Sequence, residues 1–156
     1  MTEFIQILTA TVGSLGFGIL FNVRGKRLIA VAAGGGAAWA LYLLFFSITE
    51  SLGISYFLVS LILALYGEIM ARCFKCPALL FISPSLIPLV PGASLYYTMS
   101  HALSQNTEHF LSSALTTVIA AAALAIGIIV ATILTKLVTK IYGNIITSIK
   151  QKKGKL

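Results

Sequence analysis

Five long apolar runs constrain the fold of this chain more than any other feature. They cover residues 4–21, 28–47, 54–71, 77–99 and 110–135 and contain a single charged residue, Glu68. About 20 apolar residues cross the hydrocarbon core of a bilayer as a helix, and lipid leaves no partner for unpaired backbone groups. The sequence therefore predicts an all-α polytopic membrane protein, with about five transmembrane helices in a domain covering residues 1–136.

Composition excludes a soluble domain. Hydrophobic residues make up 58% of the chain and charged residues 10%, too few to cover a water-exposed surface. The net charge of +7 does not indicate nucleic-acid binding, because the basic residues stand at the ends of apolar runs. That placement is typical of residues that contact lipid headgroups and set topology.

The basic residues predict the orientation in the membrane. They fall in the first and third connections and in the tail, on one side of a five-span chain. They are Arg24, Lys26, Arg27, Arg72, Lys75, Lys136, Lys140, Lys150, Lys152, Lys153 and Lys155. The positive-inside rule places that side in the cytoplasm, with the N-terminus outside and the C-terminus inside.

The tail, residues 137–156, is basic and partly amphipathic. Its apolar residues recur every three or four positions, at Val138, Ile141, Tyr142, Ile145 and Ile149. Such a stripe is typical of a helix lying along the membrane interface. A plain extension of the fifth helix explains it equally well, and both interpretations stay open.

The fourth run contains an unusual stretch, "SPSLIPLVPGAS", at residues 83–94. Proline has no amide hydrogen and cannot pair with the carbonyl four residues back. In helical register, Pro84, Pro88 and Pro91 would free the carbonyls of Leu80, Pro84 and Ile87. Unpaired groups at this depth are tolerated only against protein or a wet cavity. The sequence therefore predicts that this span is broken into two half-helices.

The break is the candidate substrate site. A second half-helix starting near Gly92 would present the amides of Gly92, Ala93 and Ser94, and such an N-terminus favours an anionic group. Broken helices hold carboxylates in several secondary transporters. Hydroxyls or phenols nearby come from Ser83, Ser85, Ser94, Tyr96 and Tyr97. The alternative is a structural kink packed against its neighbours.

Glu68 is the second unusual residue. Arg72 follows it at i+4, the favourable order for an ion pair on one helix face. Such a pair would help to seat the third helix at the cytoplasmic surface. The functional alternative is a proton-carrying or gating carboxylate, since acids within membrane spans are commonly functional.

Small residues recur every four positions in two spans, at Ala30, Gly34 and Ala38 and at Ala123, Gly127 and Ala131. Such faces allow close helix contact. They suggest packing against further helices, from a second copy of the chain in a homo-oligomer or from a different subunit.

The remaining reactive residues do not predict a metal site, a cofactor or an enzyme. Cys73 and Cys76 form "CFKC", but structural zinc needs four ligands, and His101 and His109 fall at the opposite membrane face. We expect two ordinary thiols. No Ser/His/Asp set or pair of carboxylates lies on one side of the membrane.

Three stretches of the sequence form a recognisable set: "GFGILFNVRGKR" at 16–27, "YGEIMAR" at 66–72 and "CPALLFISPSLIPLVPGASLYYTM" at 76–99. Together they resemble the threonine/serine exporter (ThrE) family, specifically the smaller five-span subunit of its split form. Within them, Pro88, Pro91, Gly92 and Tyr96 match the family core, and Asn22, Glu68 and Arg72 match the flanking pieces. One departure is Pro84-Ser85, where the family often has Pro-Gly.

The resemblance implies a two-component exporter in the cytoplasmic (inner) membrane. A larger partner subunit would add further transmembrane helices and a cytosolic domain. The implied substrates are small anionic or zwitterionic solutes: threonine and serine, or a dicarboxylate such as succinate. The alternatives are a non-transporting scaffold or regulatory subunit, and a channel.

Overall fold

The computed structural model describes residues 2–104 and 107–153, with side chains described as far as Ile141. Six α-helices and one 3-10 turn follow one another along it. They are α1 (Thr2–Leu20), α2 (Lys26–Thr49), α3 (Leu52–Phe74), α4 (Leu79–Leu86), the turn Ile87–Leu89, α5 (Gly92–Leu103) and α6 (Thr107–Lys153).

This architecture confirms the all-α polytopic prediction. In the described part of the chain, four helices are long and apolar enough to cross a membrane: α1, α2, α3 and residues 107–141 of α6. The segments Leu79–Leu89 and Gly92–Leu103 form a fifth candidate span, bent by 52° at the break between them. The prediction that the fourth span is broken is therefore confirmed.

Helices α1 and α2 pack closely through small residues. A Cβ atom added to Gly35 would collide with the side chain of Ser14, and one added to Gly36 would collide with the hydroxyl of Thr11. Apolar burial provides little drive for association in lipid, so this close approach supplies the packing energy instead.

Helices α3 and α6 run parallel in a fixed register. Gly127 of α6 lies against Ser60 and the backbone carbonyl of Phe57, leaving no room for a side chain. Further along, the Arg72 guanidinium of α3 donates a hydrogen bond to Thr139, which lies 67 residues later in the chain. Gly127 follows Ser60 by the same number of residues. The two helices therefore run side by side towards the same end of the bundle.

Both faces of small residues are used within the chain. Gly34 lies against Ser85 and Tyr66, and the Tyr66 hydroxyl donates to the carbonyl of Ala30 at 2.8 Å. On α6, Gly127 and Ala131 pack against α3. These faces therefore give no argument for a second copy or another subunit, and a partner stays a prediction on other grounds.

Helix α4 occupies the centre of the bundle and packs on α1, α2 and α3, burying Phe81, Ile82, Pro84 and Ser85. Pro84 lies inside this helix and does not interrupt it. Helix α5 diverges and packs chiefly against α6, with no residue of its own buried. The bend thus separates a well-packed half of the broken span from a loosely packed one.

Helix α6 continues without a break through residues 137–153. At 1.5 Å per residue, its 47 residues measure about 70 Å, more than twice the hydrocarbon thickness. In the structure, the tail as far as Lys153 is therefore a plain extension of the fifth transmembrane helix, as the second interpretation predicts, and not a separate helix along the membrane interface. The side chains of Tyr142, Ile145 and Ile149 lie outside the described residues.

Candidate functional site

The interruption between α4 and α5 lies about halfway along the fifth candidate span. Helix α4 has 8 residues and the 3-10 turn has 3, which together rise roughly 18 Å from the basic end of the bundle. The basic end is the end that carries Arg24, Lys26, Arg27, Arg72 and Lys75. Val90 is extended (φ −62°, ψ 129°), and Pro91 precedes the first residue of α5.

The backbone at the break is better paired than the sequence predicts. The carbonyl of Ile87, expected to be free, accepts the amide of Val90 at 3.1 Å. The amide of Gly92, also expected to be free, donates to the carbonyl of Val90 at 2.7 Å. Those two expectations are wrong, because the 3-10 turn and the tight turn after it pair these groups locally. Within the described residues, the amides of Ala93 and Ser94 have no acceptor.

The three serines predicted at the site point to different places. Ser85 is fully buried, and its hydroxyl donates to the carbonyl of Val31 in α2 at 2.9 Å. Ser83 is half-buried in α4. Ser94 is half-buried at the start of α5 and donates to the carbonyl of Pro91 at 3.0 Å. Only Ser94 therefore lies at the first turn of α5.

The start of α5 is open. Gly92 is exposed, and a Cβ atom added to it would meet nothing within 4 Å. Tyr96, one turn later, is 68% exposed and contacts Tyr97 edge to face. Within the described part of the chain, the space beside Gly92 is therefore open.

Pro88 lines a cavity on the other side of the break. The cavity has a volume of about 270 Å³ and lies between α1, α2 and the 3-10 turn. Its lining consists of Gln6, Thr9, Ala10, Gly13, Phe17, Trp39, Ile87 and Pro88. Among the predicted site residues, Pro88 is the one that reaches it.

Gln6 and Trp39 are two of the lining residues that sequence reasoning missed. They stand 33 residues apart, and the Trp39 indole N–H donates to the side-chain carbonyl of Gln6 at 3.3 Å. Two signals could have identified them: Trp39 is the only tryptophan in the chain, and Gln6 is an amide within the first apolar run. Neither signal indicates which helix the residue faces.

Glu68 and Arg72 are not brought together as an ion pair in the described part of the chain. The Arg72 guanidinium instead donates to the Thr139 hydroxyl of α6 at 2.7 Å. Glu68 is half-buried, and the structure gives it no partner among the described side chains. Arg72 therefore joins α3 to α6. The role of Glu68 in proton transfer or gating stays a prediction.

Asn22 ends the first helix. It adopts a left-handed conformation (φ 58°), which asparagine tolerates better than most residues, and its side-chain oxygen accepts the Arg24 Nε–H at 2.9 Å. This geometry gives Asn22 a local role in the turn between α1 and α2.

The cysteines and histidines stay apart. Cys73 and Cys76 are free thiols at the basic end, and the rings of His101 and His109 lie 5.5 Å apart at the other end. Among the described residues, no group of three or more His, Cys, Asp or Glu side chains could hold a metal ion.

Comparison with known families gives a match. The sequence model described as "Threonine/Serine exporter, ThrE" matches residues 6–134, which cover most of α1, all of α2 to α5 with the break, and most of the spanning part of α6. Neither a curated protein nor a solved structure matches the chain.

Proposed function

The chain belongs to the threonine/serine exporter family, and from that membership we propose that it is one membrane subunit of a two-component secondary exporter. Its substrates are small carboxylates, namely threonine and serine or a dicarboxylate such as succinate. A larger partner subunit supplies further helices and a cytosolic domain. The complex lies in the cytoplasmic membrane, with the C-terminus of this chain in the cytoplasm.

The observation that carries this proposal is the open start of α5 at the break in the fifth candidate span. Two consecutive amides there, those of Ala93 and Ser94, have no acceptor within the described residues, and Gly92 is exposed. Donors at the N-terminus of a helix favour a carboxylate, and the low dielectric around them strengthens the interaction. Pro91, Gly92, Ser94 and Tyr96 are the residues we propose for contact with substrate at this point.

The exposure of this turn also supports a partner. A binding site normally buries most of the surface of its ligand. Gly92 has open space beside it, and α5 packs chiefly on α6. A wall from the larger subunit would close the site, which fits an exporter whose substrate path is built from two chains.

The test is efflux from cells that express this chain with the larger subunit. Labelled threonine, serine and succinate are loaded, and their release is compared with that from cells expressing each subunit alone. Saturable efflux of at least one solute that requires both subunits is the expected result. Ion flux without saturation would indicate a channel instead. Absence of efflux while both subunits are present in the membrane would overturn the proposal in favour of a scaffold or regulatory subunit.

A further inference from the structure

The cavity between α1, α2 and the 3-10 turn has the size of a small solute. Its volume of about 270 Å³ lies just below the range of about 300–1,000 Å³ typical of pockets for drug-sized ligands. A free amino acid is smaller than a drug molecule and fits such a volume.

The cavity has an apolar wall and a polar end. Ala10, Gly13, Phe17, Ile87 and Pro88 form the wall, and none of the eight lining residues is charged. The polar end is formed by Gln6, Thr9 and Trp39. A small solute with a polar end and a short carbon chain at the other end matches this division.

The polar end offers hydrogen-bond donors. The side-chain oxygen of Gln6 already accepts the Trp39 indole N–H, which leaves the two N–H bonds of the Gln6 amide without a partner among the described residues. The Thr9 hydroxyl donates to the carbonyls of Ile5 and Gln6, at 3.0 and 2.9 Å. Gln6 is exposed at the open side of the cavity, so its amide N–H bonds are accessible to a solute, and an acceptor such as a carboxylate is the complementary ligand group.

Glu3 makes the surroundings selective. It lies three residues before Gln6 on the same helix, a spacing that makes the two side chains neighbours, and it is exposed. Its carboxylate attracts an ammonium group and repels a second carboxylate. The pair of Gln6 and Glu3 therefore favours a zwitterion over a dicarboxylate.

We propose that this cavity is a binding site for the exported amino acid, whose carboxylate is bound by the Gln6 amide and whose side-chain carbons lie against Gly13 and Pro88. The choice of ligand rests on the proposed function, whereas the location rests on the cavity itself. Because Ile87 and Pro88 belong to the 3-10 turn between α4 and α5, a bound solute directly contacts the connection between the two halves of the broken span.

The only tryptophan of the chain lies in this cavity and reports its occupancy. The full-length protein in lipid nanodiscs is titrated with threonine, serine and succinate, and Trp39 fluorescence is recorded. We expect a saturable change with threonine or serine at lower concentration than with succinate. A Trp39→Phe variant, which must lose the signal, verifies the source.

Two glycines of α1 provide a matched pair of variants. A Cβ atom at either Gly13 or Gly16 would meet nothing within 4 Å, but Gly13 lines the cavity and Gly16 is not among its lining residues. Gly13→Leu fills the cavity and should abolish the fluorescence response and reduce export. Gly16→Leu, on the same helix, should leave both unchanged.

Two polar variants test the proposed contacts. Gln6→Leu should raise the half-saturating concentration of amino acid by about 10-fold, as expected for loss of a hydrogen bond to a charged group. Glu3→Gln should narrow the preference for amino acid over succinate by about two- to five-fold, the range of an exposed ion pair.

The outcomes separate this proposal from the proposed function. If the wild type exports and the Gly13→Leu variant exports and binds amino acid normally, the cavity is not a binding site, and the proposed exporter function still stands. Absence of wild-type export with a saturable amino-acid response at Trp39 would contradict the exporter and keep the cavity. A response to a medium-chain fatty acid and to none of the three solutes would identify a lipid groove and overturn the proposal.

Discussion

The hydroxyl of Ser85 in α4 donates to the backbone carbonyl of Val31 in α2 at 2.9 Å, and both residues are fully buried. Gly34 lies directly beside this bond, 2.9 Å from the Ser85 oxygen if a Cβ atom is added to it. The contact fastens the first half of the broken span to the centre of the bundle. It uses a serine that the sequence placed among the substrate ligands.

Replacing Ser85 should therefore affect stability and leave substrate affinity unchanged. Ser85→Ala is expected to destabilise the protein by about 0.6 kcal/mol, the average measured for interhelical hydrogen bonds in a membrane protein, and by at most about 1.7 kcal/mol. Unfolding in mixed micelles measures the loss, with Ser83→Ala as the control for a half-buried serine on the same helix. A raised KM for export with unchanged stability would show that Ser85 faces the substrate after all.

Gly92→Leu should fold normally and fail to export. The open space beside Gly92 means that a leucine causes no clash within this chain, so insertion and unfolding should match the wild type. The new side chain covers the free amides of the first turn of α5 and should lower efflux by about 10-fold or more if they bind a charged group. Gly16→Leu is the matched control. Efflux at the wild-type rate from Gly92→Leu would show that the substrate does not bind at the break.

Arg72 and Thr139 should be energetically coupled, and Arg72 and Glu68 should not. The 2.7 Å hydrogen bond joins Arg72 to Thr139, while no ion pair to Glu68 forms among the described residues. A double-mutant cycle of Arg72→Ala and Thr139→Val is expected to give a coupling of at least about 0.5 kcal/mol. The cycle of Arg72→Ala with Glu68→Gln should be additive within about 0.3–0.5 kcal/mol. Strong coupling in the second cycle would restore the ion pair.

The native cysteines can test the orientation. Cys73 is exposed at the basic end, which the positive-inside rule places in the cytoplasm. A membrane-impermeant maleimide should therefore leave intact cells unlabelled and react after permeabilisation. In a Cys73→Ser, Cys76→Ser background, Ser104→Cys at the opposite end should label in intact cells. The reverse pattern would invert the topology.

The number and type of the helices could be predicted from the sequence, because lipid imposes one rule on every span. An apolar run of sufficient length must be helical, and prolines in the fourth run could not all be accommodated in one regular helix. The position of the break was less well defined. Pro84 lies inside α4 and does not interrupt it. The interruption occurs at the extended residue Val90, which is followed by Pro91.

The assignment of side chains to sites could not be predicted in the same way. Ser83, Ser85 and Ser94 look equivalent in the sequence, yet one is buried against α2, one is half-buried in α4 and one lies at the first turn of α5. The direction in which each side chain points depends on the rotation of its helix about its own axis. A helix that is apolar on all sides has no hydrophobic face from which that rotation could be predicted.

The sequence by itself determined that this chain crosses a membrane, that the fourth crossing is interrupted, and that its basic residues gather on one side. Tertiary structure alone decided that Trp39 meets Gln6, that Arg72 meets Thr139 and not Glu68, and that the small-residue faces are used internally. The reason is physical: hydrophobicity drives helices into lipid without specifying their partners. Close packing and hydrogen bonds between distant residues then select the arrangement.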